Sequence, residues 1–207
     1  MRVAIVGATG SFGKALARRL VEAGVDVIVG SRDEARARET AAEVGAAEGM
    51  TNDAAVRAAD FAVLAVNADA ALDTARDLTE ALGETPLLSV AAELSFGKDG
   101  VRPASDARSL AERVQDVVRA PVVAGLHSLA AANLGGAEQP EEDALVCGDD
   151  ERAKELALDL AGRVVAGRAV DAGPLASARA LEGMTAVIVN VNKRYKAHAG
   201  IRVSGLP

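Results

Sequence analysis

Three glycines spaced three apart, Gly7, Gly10 and Gly13, and farther along Ser31, Arg32 and Arg36, are residue types that can hold an anion. Glycine lets the chain turn sharply and lets its backbone approach a pyrophosphate, and free N–H groups at a helix start point at that anion. The flanking sequence supplies such a helix start. Val3 to Val6 is a short apolar run, rich in β-branched residues, long enough for a buried strand and too short for a helix. After the glycines, Ala15, Leu16, Leu20 and Val21 recur at helical spacing until Gly24, which reads as a C-cap. Strand, glycine turn and helix in this order open a dinucleotide-binding unit. The spacing is Gly-x-x-Gly-x-x-Gly, because Ala8 stands where a second glycine is usual.

A second short strand, Val25 to Val29, ends at Gly30-Ser31-Arg32, where such a fold chooses between two cofactors. An acidic side chain there hydrogen-bonds the ribose 2′-hydroxyl of NAD; a basic one accommodates the 2′-phosphate of NADP. Ser31 and Arg32 occupy the position, and Asp33 suits the cap of the next helix. Arg36 stands one helical turn past Arg32, so both guanidinium groups can face one point. NADP is the favoured cofactor, against the alternative of a solvated helix start where Glu34, Arg36, Arg38 and Glu39 simply mix in sign. Of the two histidines, His127 lies where a strand end meets the expected crevice, and structural and functional roles stay equally open for it. Cys147 sits in an apolar run with no neighbouring His, as a small hydrophobe rather than a nucleophile. Asp149-Asp150 read as a helix cap, and no His or Cys completes a metal motif.

The elements that position these groups alternate between strand and helix. Helices are expected at Asp33 to Val44, Asn52 to Ala59, Asp69 to Leu82, Ser105 to Val118, Asp150 to Val165 and Leu175 to Tyr195. Strands are expected at Phe61 to Val66, Pro86 to Val90, Pro121 to Ala124, Leu145 to Cys147 and Arg168 to Asp171. Val66 and Asn67, at a strand's carboxyl end, should border the cofactor. Ala91 to Ser105 reads as a long irregular connection and Gly135 to Asp143 as a surface loop. The last helix carries Leu181, Met184, Ile188, Val191 and Tyr195 three and four apart, with Val187 and Val189 widening its apolar side. Such breadth asks for cover, by the same domain or by a second subunit, so a homodimer is expected.

The fold class is therefore α/β: a Rossmann-type doubly wound parallel sheet, residues 1–143, with a small C-terminal helical or α+β domain, residues 144–207. A chain of 207 residues can bury roughly 70% of its unfolded surface. Its hydrophobic share of 50% is mostly Ala, Val and Leu with 2% aromatic, which argues for tight helix-on-sheet packing and against stacking on bases. The net charge of −7 argues against a nucleic-acid partner. A lone cysteine excludes an internal disulfide, no apolar stretch approaches the roughly 20 residues of a membrane span, and the glycine turn interrupts any signal-peptide core. A cytoplasmic protein is expected.

The chain resembles the NADPH-dependent reductases of coenzyme F420 over nearly its whole length. The carrying segments are Met1-Arg-Val-Ala-Ile-Val-Gly-Ala-Thr-Gly10, Gly30-Ser-Arg32, Leu72-Asp-Thr-Ala-Arg-Asp-Leu78, Leu126-His127, Val146-Cys-Gly-Asp-Asp150 and Asp171-Ala-Gly-Pro-Leu175. The resemblance implies NADP held by backbone groups at Thr9, Ser11 and Phe12, with Ser31, Arg32 and Arg36 on the 2′-phosphate and Ala131 against the nicotinamide amide. It implies a deazaflavin against His127 and Leu129, capped by C-terminal residues such as Asn190, Arg194 and Leu206. Asn67-Ala68-Asp69, Ala130 and the basic tail from Tyr195 depart from the family pattern, all on the second-substrate side.

Direct hydride transfer between nicotinamide and deazaflavin needs ring alignment and no acid–base pair. Two alternatives stand beside it: an NADP-linked reductase of a carbonyl or imine with His127 as acid, and a non-enzymatic dinucleotide sensor. The basic residues Lys193, Arg194, Lys196 and Arg202 read either as a solvated tail or as an attraction for an anionic ligand.

Overall fold

The computed structural model describes residues 1–206; Pro207, the last residue of the expected C-terminal domain, lies outside them. The chain opens with β1 (Arg2–Val6), α1 (Ser11–Glu22), β2 (Asp26–Ser31), α2 (Glu34–Val44), β3 (Glu48–Thr51) and α3 (Asn52–Arg57). It continues through β4 (Phe61–Leu64), α4 (Ala68–Asp77), α5 (Thr79–Leu82), β5 (Leu87–Ser89), β6 (Leu94–Gly97) and β7 (Gly100–Pro103). The remainder is α6 (Leu110–Gln115), β8 (Val122–Gly125), α7 (Ala131–Leu134), β9 (Ala144–Gly148), α8 (Glu151–Val164), β10 (Ala169–Asp171) and α9 (Ala178–Tyr195).

Eight strands form one sheet in the order β3-β2-β1-β4-β5-β8-β9-β10. All neighbours pair in parallel except β8 with β9, so the sheet is doubly wound and mostly parallel, with its last two strands reversed. Strand residues alternate between two buried faces. Val3 and Ile5 meet α1, α2 and α8 on one side, while Ala4 and Val6 meet α3, α4 and α6 on the other. Alanines on the helices, including Ala17, Ala37, Ala41, Ala153 and Ala157, let these helices lie close to the sheet with few aromatic rings.

Several expectations need correction. β3 is an edge strand of Glu-Gly-Met-Thr, too polar to stand out, and exists by pairing with β2. Ala91 to Ser105 is not irregular: β6 and β7 form an antiparallel hairpin, closed between Gly97 and Gly100, the latter at φ 120°. Distant side chains hold it. Asn190 on α9 accepts from Val101 N at 2.8 Å and donates to Val101 O at 2.7 Å, and Arg179 donates to Ala104 O at 2.7 Å. The helix expected from Ser105 starts only at Leu110, because Asp106 accepts from Arg108 N at 2.9 Å in a turn and Ser109 forms a capping box with Glu112. The surface loop of residues 135–143 ends inside the protein, with Asp143 fully buried. Of the apolar residues of the last helix, Leu181 and Ile188 are covered by the chain's own core, while Val187, Val191 and Tyr195 are exposed.

Candidate active site

β1 and β4 are neighbours whose following helices depart to opposite faces, which leaves a crevice at their carboxyl ends. A cavity of about 300 Å³ occupies it, lined by Gly7, Thr9 and Gly10 from the turn, Ser31, Arg32 and Arg36 beyond β2, Asn52, and Val66, Asn67 and Thr74 toward α4. The turn has no room for a side chain at Gly7 or Gly13. Gly7 has φ 82°, and a Cβ there would stand 2.7 Å from Val66 Cγ1 and 2.8 Å from Ala65 O. A Cβ at Gly13 would stand 2.8 Å from Gly7 O, so the missing side chain brings α1 onto the turn. Ala8 is fully buried, with its methyl in the core and not in the crevice, which explains why the usual glycine is dispensable there.

The first turn of α1 has no side-chain cap and no acidic residue, whereas α2 and α8 start under Asp33 and Asp150. The N–H groups of Ser11, Phe12 and Gly13 are thus left for an anion. Ser31 is 7% exposed, and its hydroxyl oxygen accepts from Asp33 N at 3.2 Å. Asp33 also lines the cavity, where its carboxylate caps α2 by accepting from Ala35 N and Arg36 N, and Glu34 pairs with Arg38 at 2.5 Å. Among the described residues Arg32 and Arg36 face no carboxylate within ion-pair distance. Two uncompensated guanidinium groups beside a serine suit a phosphate monoester. The residues present fit a dinucleotide phosphate. Asn52 joins this lining and was read in the sequence only as a helix start; the unrecognised β3 hid it.

The second group of expected residues is dispersed. Leu126, at φ 65°, turns the chain after β8, and His127 and Leu129 behind it are buried, 5% and 7% exposed. His127 Nε2 lies 3.2 Å from Ala91 O, an acceptor, so Nε2 carries the proton; Nδ1 is buried without a partner. Burial pushes the imidazole down to about 4, with the Ala91 contact opposing weakly, so the ring is neutral at ordinary pH. Ala131 opens α7, which packs along α1. Asn190 is engaged by the hairpin, while Arg194 and Leu206 are exposed. The basic side chains do not converge: Lys193 lies 5.5 Å from the ring centre of Phe96, while Arg202 borders a separate cavity with Glu138, Glu141 and Glu142. A further cavity of about 470 Å³ lies between Asn67, Ala68 and Asp69 and the hairpin residues Leu94 and Phe96, and Asn67 borders both it and the crevice. Cys147 is fully buried, which raises its thiol to about 12 and removes it as a nucleophile.

Two long-range clamps tie the later part of the chain together. Arg19, on α1, donates to the carbonyls of Leu134, Gly136 and Glu138, the last two at 2.8 Å. Asp143 accepts from Arg168 N at 2.9 Å, Arg168 Nη2 at 2.9 Å and Val203 N at 2.7 Å, which fastens the tail; these contacts hold its carboxyl well below the usual range. Neither clamp offers a proton to the crevice.

Comparison with known proteins agrees with this geometry. Residues 2–93 match a family described as NADP oxidoreductase, coenzyme F420-dependent. The F420-dependent NADP reductase of Methanothermobacter thermautotrophicus is 33% identical over all of this chain and 96% of its own length. That of Methanocaldococcus jannaschii is 31% identical over all of this chain and 99% of its own. A solved structure from Arthrobacter sp. FB24, described as a candidate F420-dependent NADP reductase, superposes with a TM-score of 0.84 at 21% identity, covering 99% of this chain and 100% of that one. The fold is the same, and with full-length relatives above 30% identity the chain belongs to the F420-dependent NADP reductase family.

Proposed function

We propose that this protein is an oxidoreductase that passes a hydride reversibly between NADP(H) and the deazaflavin coenzyme F420. The observation that carries the reading is the crevice itself: an uncapped α1 start and two unpaired arginines on one cavity, in a chain whose full-length relatives bear this activity in their names. Gly7, Thr9, Gly10, Ser11, Phe12 and Gly13 would cradle the pyrophosphate. Ser31, Arg32 and Arg36 would take the 2′-phosphate, with Val66 and Asn67 as the wall and Ala131 beside the nicotinamide amide. The deazaflavin would lie across His127 and Leu129, with Arg194 and Leu206 on the C-terminal side and Asn190 acting through the hairpin it holds. In functional terms residues 1–143 bind NADP and residues 144–207 supply the cover, although β9 and β10 extend the same sheet.

When bound, the two coenzymes supply the redox chemistry themselves, given reacting carbons about 3–3.5 Å apart. The chain's part is to orient them and exclude water. His127 supports this division of labour. A reductase of a carbonyl needs a positioned proton donor, and a buried imidazole that is neutral and donates its only N–H to Ala91 O is not one. We further infer a cytoplasmic homodimer, with Val187, Val191 and Tyr195 as the outward apolar stripe; a concentration-independent monomer in sedimentation would remove that part. The activity is tested by mixing NADPH, F420 and protein and following loss of the oxidised deazaflavin's visible absorbance. No reduction at saturating NADPH would overturn the proposal.

A further inference from the structure

Among the described residues five buried side-chain atoms lack a hydrogen-bond partner, and Asn52 Oδ1 alone belongs to a residue lining the crevice. Buried polar atoms in native proteins are nearly always paired, so an orphan at a ligand cavity is a place where a ligand group can supply the partner. The position of this oxygen is well defined. Asn52 follows directly on β3, whose Thr51 pairs with Ser31 of β2, and Thr51 also caps α3 by accepting from Ala54 N at 3.4 Å. Gly30 makes the space: a Cβ there would lie 2.9 Å from Asn52 Oδ1 and 3.1 Å from Ile5 O. The bare backbone lets the amide reach over the strand end, on the same cavity as Ser31, Arg32 and Arg36.

We propose that Asn52 is a cofactor-recognition residue whose side-chain oxygen accepts a hydrogen bond from the adenosine half of NADP. This rests on the NADP reading of the crevice given above. A carbonyl oxygen repels phosphate and takes an N–H or O–H donor. The adenosine half offers two, the exocyclic amine of the base and the ribose 3′-hydroxyl, since the 2′ position carries the phosphate. The arginines and Asn52 therefore read different parts of one ligand. The arginines read the charge that distinguishes NADP from NAD; Asn52 reads a neutral donor that both dinucleotides share.

Calorimetric titration of NADP+ and NAD+ into wild type, Asn52→Ala and Asn52→Ser separates these roles without any turnover. Loss of one such bond should weaken both dinucleotides by a similar factor, about tenfold, leaving their ratio near the wild-type value. Nicotinamide hypoxanthine dinucleotide phosphate, which lacks the exocyclic amine, identifies the donor. If the amine is the partner, wild type binds this analogue about tenfold more weakly than NADP+ and the variants lose that difference. If the 3′-hydroxyl is the partner, the variants lose affinity for NADP+ and analogue alike. Unchanged affinity for both dinucleotides would overturn the inference, a lowered melting temperature then making Asn52 an internal tether, as would a loss for NADP+ that spares NAD+. Wild-type protein that binds neither dinucleotide would instead overturn the reading of the crevice.

Discussion

From Gly7 to Arg36 most of the crevice lining comes from one continuous stretch, the turn after β1, the end of β2 and the start of α2, with Asn52, Val66 and Asn67 closing it from farther along the chain. The later part of the fold is tied together across the chain: His127 to Ala91 over 36 residues, Asp143 to Val203 over 60, Asn190 to Val101 over 89 and Arg19 to Leu134 over 115. The first region needs small residues at fixed spacing and charges left free. The second needs polar side chains that reach distant partners. A free arginine marks the place where a ligand's charge belongs; a satisfied one marks where the chain holds itself together.

The sharpest break of this comparison is Asp143→Ala. It leaves Arg168 and Val203 N without their acceptor and should cost about 3 kcal/mol in urea unfolding, less than a fully buried pair because Arg168 is 40% exposed. NADP+ affinity should stay within about twofold, since the crevice's own groups are untouched. The contribution has a pH signature. A carboxylate whose folded-state value is depressed stabilises above its ordinary range, and that stability is lost as pH falls below it.

His127 gives a second acid window of opposite chemistry. Its folded-state value of about 4 lies below the ordinary 6.5, so the unfolded chain takes up the proton first. Stability should decline between those two values as pH falls and flatten below the lower one, by on the order of 3 kcal/mol in all. His127→Gln should flatten this window in pH-dependent unfolding and leave the lower Asp143 window in place. An unchanged profile would mean that the ring is not held neutral.

On the cofactor side, Arg32→Ala with Arg36→Ala should reduce the preference for NADP+ over NAD+ by about a hundredfold, two charge-assisted hydrogen bonds being lost. Equal losses for both dinucleotides would place these arginines on the shared pyrophosphate. The smallest effect expected is that of Asn190→Ala, about 1 kcal/mol of stability and faster amide exchange confined to residues 94–103. Slow exchange there would show that the hairpin stands without α9.

The same division explains what the sequence disclosed. The glycine spacing, the caps at Asp33 and Asp150 and the strand runs Val3 to Val6 and Phe61 to Val66 are local signals, and each element formed there, the last strand ending two residues early at Leu64. β3 and the hairpin were illegible because Glu-Gly-Met-Thr and Leu-Ser-Phe-Gly carry no strand pattern of their own and exist through β2 and α9. The burial of Asp143 was hidden for the same reason, since its partners are Arg168 and the tail. The apolar series of α9 divides between the core, at Leu181 and Ile188, and the surface, at Val191 and Tyr195, because the period alone does not say which face meets the sheet.

The central claim is that NADP(H) and F420 exchange a hydride directly between their rings. It is tested by incubating the protein with NADPH deuterated on one face of the nicotinamide, together with oxidised F420, and locating the label by mass spectrometry and NMR. Direct transfer leaves deuterium on the reduced deazaflavin from one nicotinamide face and none from the other. Reduction of F420 with the label released to solvent, or no reduction at all, would contradict it.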